Sequence, residues 1–327
     1  MGALFYKGRF RNRARIRHPR PKDLFRWALN RRPGPWRWVD VPSAPPPPRA
    51  VADGELRATL IGHATVLLQM DGLNVLTDPI WSARCSPVPF AGPERHRPPA
   101  VRLEDLPPIH CVLLSHDHYD HLDMPTLRRL GDMHAPVIVT GLRTGRMLRR
   151  GGLAHVHELD WWQTRTVPGI PQFTITATPA QHFSGRSLFD RDRTLWCGFD
   201  LCGPSGRIFF AGDTGYADHF QEVRERLGPP RLALLPIGAY RPEWVMRRVH
   251  MTPADAVRAH QDLQASTSLG IHFGTFRLTD DGMDEPPEAL ALALAAAGLP
   301  AERFQVPTHG AGIQVPSPSD VTDDAAE

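Results

Sequence analysis

Four apolar residues, Cys111 to Leu114, run straight into Ser115-His116-Asp117-His118-Tyr119-Asp120-His121. A short apolar run bounded by polar residues reads as a buried strand. Its C-terminal end therefore delivers imidazoles and carboxylates into protein rather than into water. Burying so many polar groups is costly unless something satisfies them. A divalent cation does so, because neutral imidazole nitrogens and carboxylate oxygens are its ordinary ligands. The His-x-His-x-Asp-His pattern can aim alternate residues at two positions, which predicts a metal-binding turn at a strand end.

Other strand ends carry the same kinds of side chain. "TATPAQH" finishes at His182, "RIFFAGDTGY" delivers Asp213, and "LGIHFGTF" delivers His272. Each follows an apolar run within a few residues, where several strands can converge on one cleft. "RATLIGHATVLLQM" and "LNVLTDP" flank Asp71-Gly72, a pair that favours a two-residue hairpin turn. "FQVPTHGAGIQV" reads as a further strand. "MPTLRRLG", "HFQEVRERLG", "TPADAVRAHQDLQ" and "PPEALALALAAAG" read as helices, the third with Thr252 as cap and Pro253 in its first turn. Strand-rich halves with helices attached to each predict two sheets face to face, with helices outside.

Charge is unevenly spread. Residues 1–40 hold twelve Lys and Arg against Asp23 and Asp40, so the rest of the chain is net acidic although the whole carries +3. This predicts a basic, Pro-rich arm over residues 1–50, a globular domain over 51–315 and a disordered acidic tail over 316–327. Such an arm suits an anionic surface, and Phe5, Tyr6, Phe10, Phe25, Trp27, Trp36 and Trp38 could anchor it at a lipid interface. Docking of these aromatics onto the domain is the competing expectation. No apolar run approaches the length that crosses a bilayer. The first residues lack the apolar stretch of a secretory signal, and Cys85, Cys111, Cys197 and Cys202 are scattered without C-x-x-C spacing. These features predict reduced thiols and a cytoplasmic protein, held peripherally on a membrane by the arm.

The blocks "GHATVLLQMDGLNVLTDPIWSARCSPVPFAGPERHRPP", "LPPIHCVLLSHDHYDHLD", "PAQHFSGRSLFDRDRTLW", "FFAGDTGY", "LLPIGAYRPEWVM", "HMTPADAVRAHQDLQ" and "IHFGTF" resemble, in order and spacing, the N-acylphosphatidylethanolamine-hydrolysing phospholipase D family of metallo-β-lactamase-fold hydrolases. The resemblance spans roughly residues 56–312 and implies an α/β fold, an αββα sandwich with a dinuclear zinc site on one edge. It assigns His116, His118 and His182 to a first ion, Asp120, His121 and His272 to a second, and Asp213 as the bridge. Manganese or iron would fit the same donors. Asp117 stands where vertebrate members have Asn, and Phe183 and Phe273 where they have Trp; these changes leave the ligands intact, but the resemblance does not carry over pocket shape or acyl-chain preference.

Two divalent ions, two ligand carboxylates and a bridging hydroxide leave such a site net positive, which suits an anionic phosphodiester. The expected reaction is attack of that hydroxide on phosphorus, giving an N-acylethanolamine and phosphatidic acid. Asp120 and Asp213 act at the metals, and Tyr119 and His250 are candidates to orient the phosphate or carry a proton. His63 is a candidate support for a ligand, and His309 reads as structural. The expected partners are an anionic phospholipid and the membrane surface, not nucleic acid; a homodimer is compatible with the resemblance. The alternatives are hydrolysis of another anionic substrate, such as a phosphorylated lactone, and, more remotely, an iron-dependent oxidoreductase of the same fold.

Overall fold

The computed structural model describes residues 1–14, 16, 20–40 and 42–317. The predicted tail falls outside the described residues from position 318 onward. Chain order begins with a hairpin, β1 (Leu4–Tyr6) and β2 (Arg9–Arg11), then α1 (Pro21–Leu29). A first group follows: β3 (Leu56–Gly62), β4 (Thr65–Met70), β5 (Leu73–Thr77), β6 (Cys111–Leu114), α2 (Met124–His134), β7 (Val137–Gly141), α3 (Gly145–Arg150) and β8 (Val156–Leu159). The second comprises β9 (Thr164–Val167), β10 (Ile170–Thr178), β11 (Gly198–Gly203), β12 (Gly206–Phe210), α4 (His219–Leu227), β13 (Leu232–Pro236), α5 (Glu243–Met246), α6 (Pro253–Leu263), β14 (Thr267–Ile271), α7 (Glu285–Ala297), β15 (Phe304–Gln305) and β16 (Gly312–Gln314).

Two seven-stranded sheets result, ordered β16-β3-β4-β5-β6-β7-β8 and β15-β14-β13-β12-β11-β10-β9. Each pairs antiparallel along one half and parallel along the other. Strand alternation explains the layering. Along β4, Val66, Leu68 and Met70 join the core between the sheets, whereas Leu67 joins a second cluster with Leu127, Leu130 and Leu148 of α2 and α3. In β6, Cys111 and Leu113 face inward while Val112 and Leu114 face those helices. Successive side chains point to opposite faces, so a strand apolar throughout must be covered on both. This is the predicted αββα sandwich.

Local chemistry sets the boundaries. The Asp71-Gly72 hairpin turn is present, with both residues at positive φ (49° and 78°). Thr252 caps α6, its side chain accepting from the Asp255 amide at 3.1 Å. Two predicted strands divide. The first breaks at His63, whose φ of 55° turns the chain from β3 into β4. "FQVPTHGAGIQV" separates into β15 and β16, which belong to opposite sheets because the Thr308–Ala311 turn carries the chain across. The four cysteines are free. Among the described residues no helix is long and apolar enough to cross a membrane.

The N-terminal arm lies against the domain. Phe10 is buried in the intersheet core. Trp27 and Arg31 both bond Asp280, Trp36 donates to the Asp281 carbonyl, and Trp38 stacks on His96. Phe5, Tyr6 and Phe25 remain exposed.

Candidate metal centre

The candidate donors meet at one edge of the sandwich, beyond the C-terminal ends of β6, β10, β12 and β14. His116, His118, Asp120 and His121 come from the turn after β6. That turn is closed by the His121 and Leu122 amides, which both donate to the His118 carbonyl (3.1 and 2.8 Å). His182 follows β10, Asp213 follows β12 and His272 follows β14. Gly212, at φ +60°, lets Asp213 approach: a Cβ there would lie 2.8 Å from Ser115 Cβ and 3.0 Å from the Cys197 carbonyl.

The donors form two groups. His116 Nε2 and His182 Nε2 lie 2.8 and 3.3 Å from His118 Nδ1. His121 Nε2 and His272 Nε2 lie 3.4 and 3.3 Å from Asp120 Oδ2. Asp213 Oδ2 stands between the groups, 3.9 Å from His116 Nε2 and 3.7 Å from His182 Nε2 on one side, and 3.2 Å from both His121 Nε2 and His272 Nε2 on the other. The seven side chains grouped by the sequence are thus in one place.

Their partners fix which ring nitrogens face inward. His182 Nδ1 donates to the Val249 carbonyl (2.8 Å) and His121 Nδ1 to Asp78 Oδ2 (2.6 Å). His116 Nδ1 bonds Ser115 Oγ (2.8 Å), which itself donates to Asp78 Oδ2 (2.5 Å). In all three the outer Nδ1 is engaged, so Nε2 is the nitrogen that faces the cluster. The sequence reading missed Asp78 and Ser115. Asp78 is completely buried, accepts from the Ser115 amide as well (2.7 Å), and ties two donors to the end of β5. Its signal was available: "LNVLTDP" places a carboxylate at a strand end, as "FFAGDT" does.

His63 reaches Asp120 Oδ2 at 3.0 Å, and its carbonyl accepts from the His272 amide at 2.8 Å. Both residues hold left-handed backbone, at φ 55° and 62°, a costly conformation for non-glycine residues that concentrates at functional sites. This bond stitches the two sheets together where the donors meet. His250 also enters, with Nδ1 3.9 Å from Asp213 Oδ2. Tyr119 turns aside: its hydroxyl donates to the Arg186 carbonyl (3.3 Å), and the Arg186 guanidinium covers its ring at 3.7 Å. His309 lies 5.6 Å from the Phe273 ring, outside the donor groups.

The groups differ electrically. Burial opposes ionisation of Asp120 and Asp213, but the neighbouring His121 and His272 outweigh it and hold both carboxyls well below their ordinary range. Burial likewise opposes a charge on His121 and His272, yet the carboxylates raise the first well above its usual value and the second to about 9. His116 and His182 are pushed well below theirs by burial, with neighbouring imidazoles adding to the effect. His250 is lowered to about 4, again chiefly by burial.

Divalent cations fit this donor set. Asp213 Oδ1, His121 Nε2 and His272 Nε2 are buried without a hydrogen-bond partner, an expensive arrangement for polar atoms. Three imidazole nitrogens converging at His118 cannot all satisfy one another, whereas a cation accepts all three lone pairs.

Residues 73–273 match the beta-lactamase superfamily domain. An uncharacterized protein of Mycobacterium tuberculosis is 43% identical over 80% of this chain and 70% of its own length. The N-acyl-phosphatidylethanolamine-hydrolyzing phospholipase D 1 of Caenorhabditis elegans is 40% identical over 73% of this chain and 70% of its length. Among solved structures, a metallo hydrolase from the archaeon Ignicoccus hospitalis superposes with a TM-score of 0.61 at 21% identity, covering 80% of this chain and 98% of that one.

Proposed function

The chain belongs to the beta-lactamase superfamily as a metal-dependent hydrolase, and from this premise we propose that it cleaves the phosphodiester of N-acylphosphatidylethanolamine-like phospholipids. His116, His118 and His182 would hold one zinc ion and Asp120, His121 and His272 a second. The reading rests above all on Asp213, whose Oδ2 lies within 3.9 Å of donors from both groups. Two divalent ions, when bound, supply an activated water and a clamp on the phosphoryl oxygens.

The chain's own residues do the rest. Asp120 and Asp213 are the only carboxylates among the seven donors, too few to neutralise two divalent ions. The site therefore favours an anionic diester over a neutral ester. Asp78 and Ser115 keep His116 and His121 in the tautomer that presents Nε2. His250 faces the cluster with a buried, unpartnered Nδ1, suited to hydrogen-bond a phosphoryl or leaving-group oxygen. Tyr119 acts through Arg186, fixing the loop beside the metal turn rather than touching the phosphate. Attack of water on phosphorus breaks the bond to the N-acylethanolamine oxygen, with phosphatidic acid as the other product.

A lipid substrate also accounts for Leu188 and Phe189. They stand 94% and 79% exposed on the loop that Arg186 ties to the metal turn. Such apolar side chains flanked by Arg186 and Arg191 suit a phospholipid surface. The test is release of N-acylethanolamine from N-acylphosphatidylethanolamine in mixed micelles. Release by the wild type and its loss in Asp213→Asn are expected. Turnover confined to soluble phosphodiesters or phosphorylated lactones would contradict the substrate. Oxygen consumption by an iron-only protein would contradict hydrolysis itself.

A further inference from the structure

His182 differs from His121 and His272 in how its main chain is held. The His272 amide bonds the His63 carbonyl, and the His121 amide is closed within its own turn. His182 lies beyond the end of β10, outside any strand, and fully buried. Its amide donates to Asn12 Oδ1 at 3.0 Å and its carbonyl accepts from Asn12 Nδ2 at 2.7 Å. A carboxamide offers one acceptor and one donor in a plane, so Asn12 pairs with this residue as a single position of a neighbouring strand would. The two are 170 positions apart.

Asn12 is placed with similar care. Phe10, two residues earlier, is buried in the intersheet core, and its amide donates to the Asp192 carbonyl at 2.7 Å. Arg9 bonds the Arg191 carbonyl. The hairpin thus grips the 182–192 segment at both ends. With the ring fixed by Val249, three hydrogen bonds determine where His182 Nε2 points, and two of them come from Asn12.

We propose that the N-terminal arm reaches the metal centre through Asn12 alone among its described residues, as a positioning residue for the ligand His182. This rests on the metal-site reading above. Loss of a group that orients a ligand commonly weakens metal binding by about 10–100-fold. The experiment is Co(II) binding to the metal-free full-length chain, by chelator competition and visible absorption, with amide hydrogen exchange over residues 180–184 in the absence of metal. Asn12→Ala should weaken one of two cobalt ions about 10–100-fold, change that ion's spectrum and speed exchange at His182. Asn12→Asp keeps the acceptor for the His182 amide and should fall between Asn12→Ala and wild type. Arg13→Ala removes the adjacent arm side chain, which reaches Glu222 instead, and should leave both ions and their spectra unchanged. Wild-type affinity and spectrum in Asn12→Ala, or equal losses in Asn12→Ala and Arg13→Ala, would overturn the proposal alone. A wild-type chain that takes up no cobalt would overturn the metal-site reading and this proposal with it.

Discussion

The space between the two sheets and the edge where they meet are built from opposite materials. Between the sheets, Phe199 pairs with Phe210 and Leu201 with Ile208 across β11 and β12, all at most 1% exposed. These side chains need nothing but packing, and the indoles of Trp161 and Trp196 in the same core each find a carbonyl. At the edge, imidazoles and carboxylates are buried or nearly so, yet Asp213 Oδ1 and nitrogens of His121, His250 and His272 find no hydrogen-bond partner, and His63 and His272 hold strained backbone. The interior supplies the free energy that folds the chain, and the edge spends part of it on an arrangement useful only to a ligand. Functional sites are where a consistent fold departs from its own rules.

If that division is right, damage to one region should leave the other readable. The largest effect belongs to Asp213→Asn. Turnover in the micelle assay should fall by about 10²–10³-fold, while circular dichroism stays close to wild type. Phe199→Ala should do the reverse. Removing a buried ring from the intersheet core costs about 3–5 kcal/mol, visible as an earlier denaturation midpoint, with metal stoichiometry unchanged in the fraction that remains folded.

His260 tests the interior by pH. It packs from α6 against β14, its Nδ1 bonded to Ser268 Oγ at 2.8 Å. Burial first, then the nearby Arg303, lower it to about 4. A histidine held neutral in the fold but free to protonate when unfolded stabilises fully above its unfolded value near 6.5. That contribution is lost as pH falls from there toward 4, by about 2–3 kcal/mol. Urea titrations at pH 7 and pH 4.5 should show that slope reduced in His260→Gln. The smallest effect is expected of Asp78→Asn, which removes a carboxylate holding two donors without being one. Metal affinity should weaken about 10–100-fold, by chelator titration, with the fold intact.

What could be read in advance divides along sequence separation. The turn at 116–121 was legible because all its polar residues follow one apolar run, so the cost of burying them could be weighed locally. His182, Asp213 and His272 were legible as strand ends, and the resemblance supplied their grouping. Asp78 obeys the same strand-end rule, but a lone Asp before Pro79 also reads as an ordinary turn, and its burial is invisible until β5 sits beside β6. The break at His63 was hidden because "GHATV" continues an apolar run on both sides, and only the tie to His272 shows why the chain bends there. Asn12 had no local signal: its partner lies in the other half of the chain, and the aromatic, basic residues around it drew the arm outward toward lipid.

Elemental analysis of metal per chain, on purified wild type and Asp213→Asn after dialysis, tests the shared-bridge geometry most directly. Two divalent ions in the wild type and fewer than two in the variant are the expected result. A wild-type chain with none, or a variant that keeps both, would contradict it.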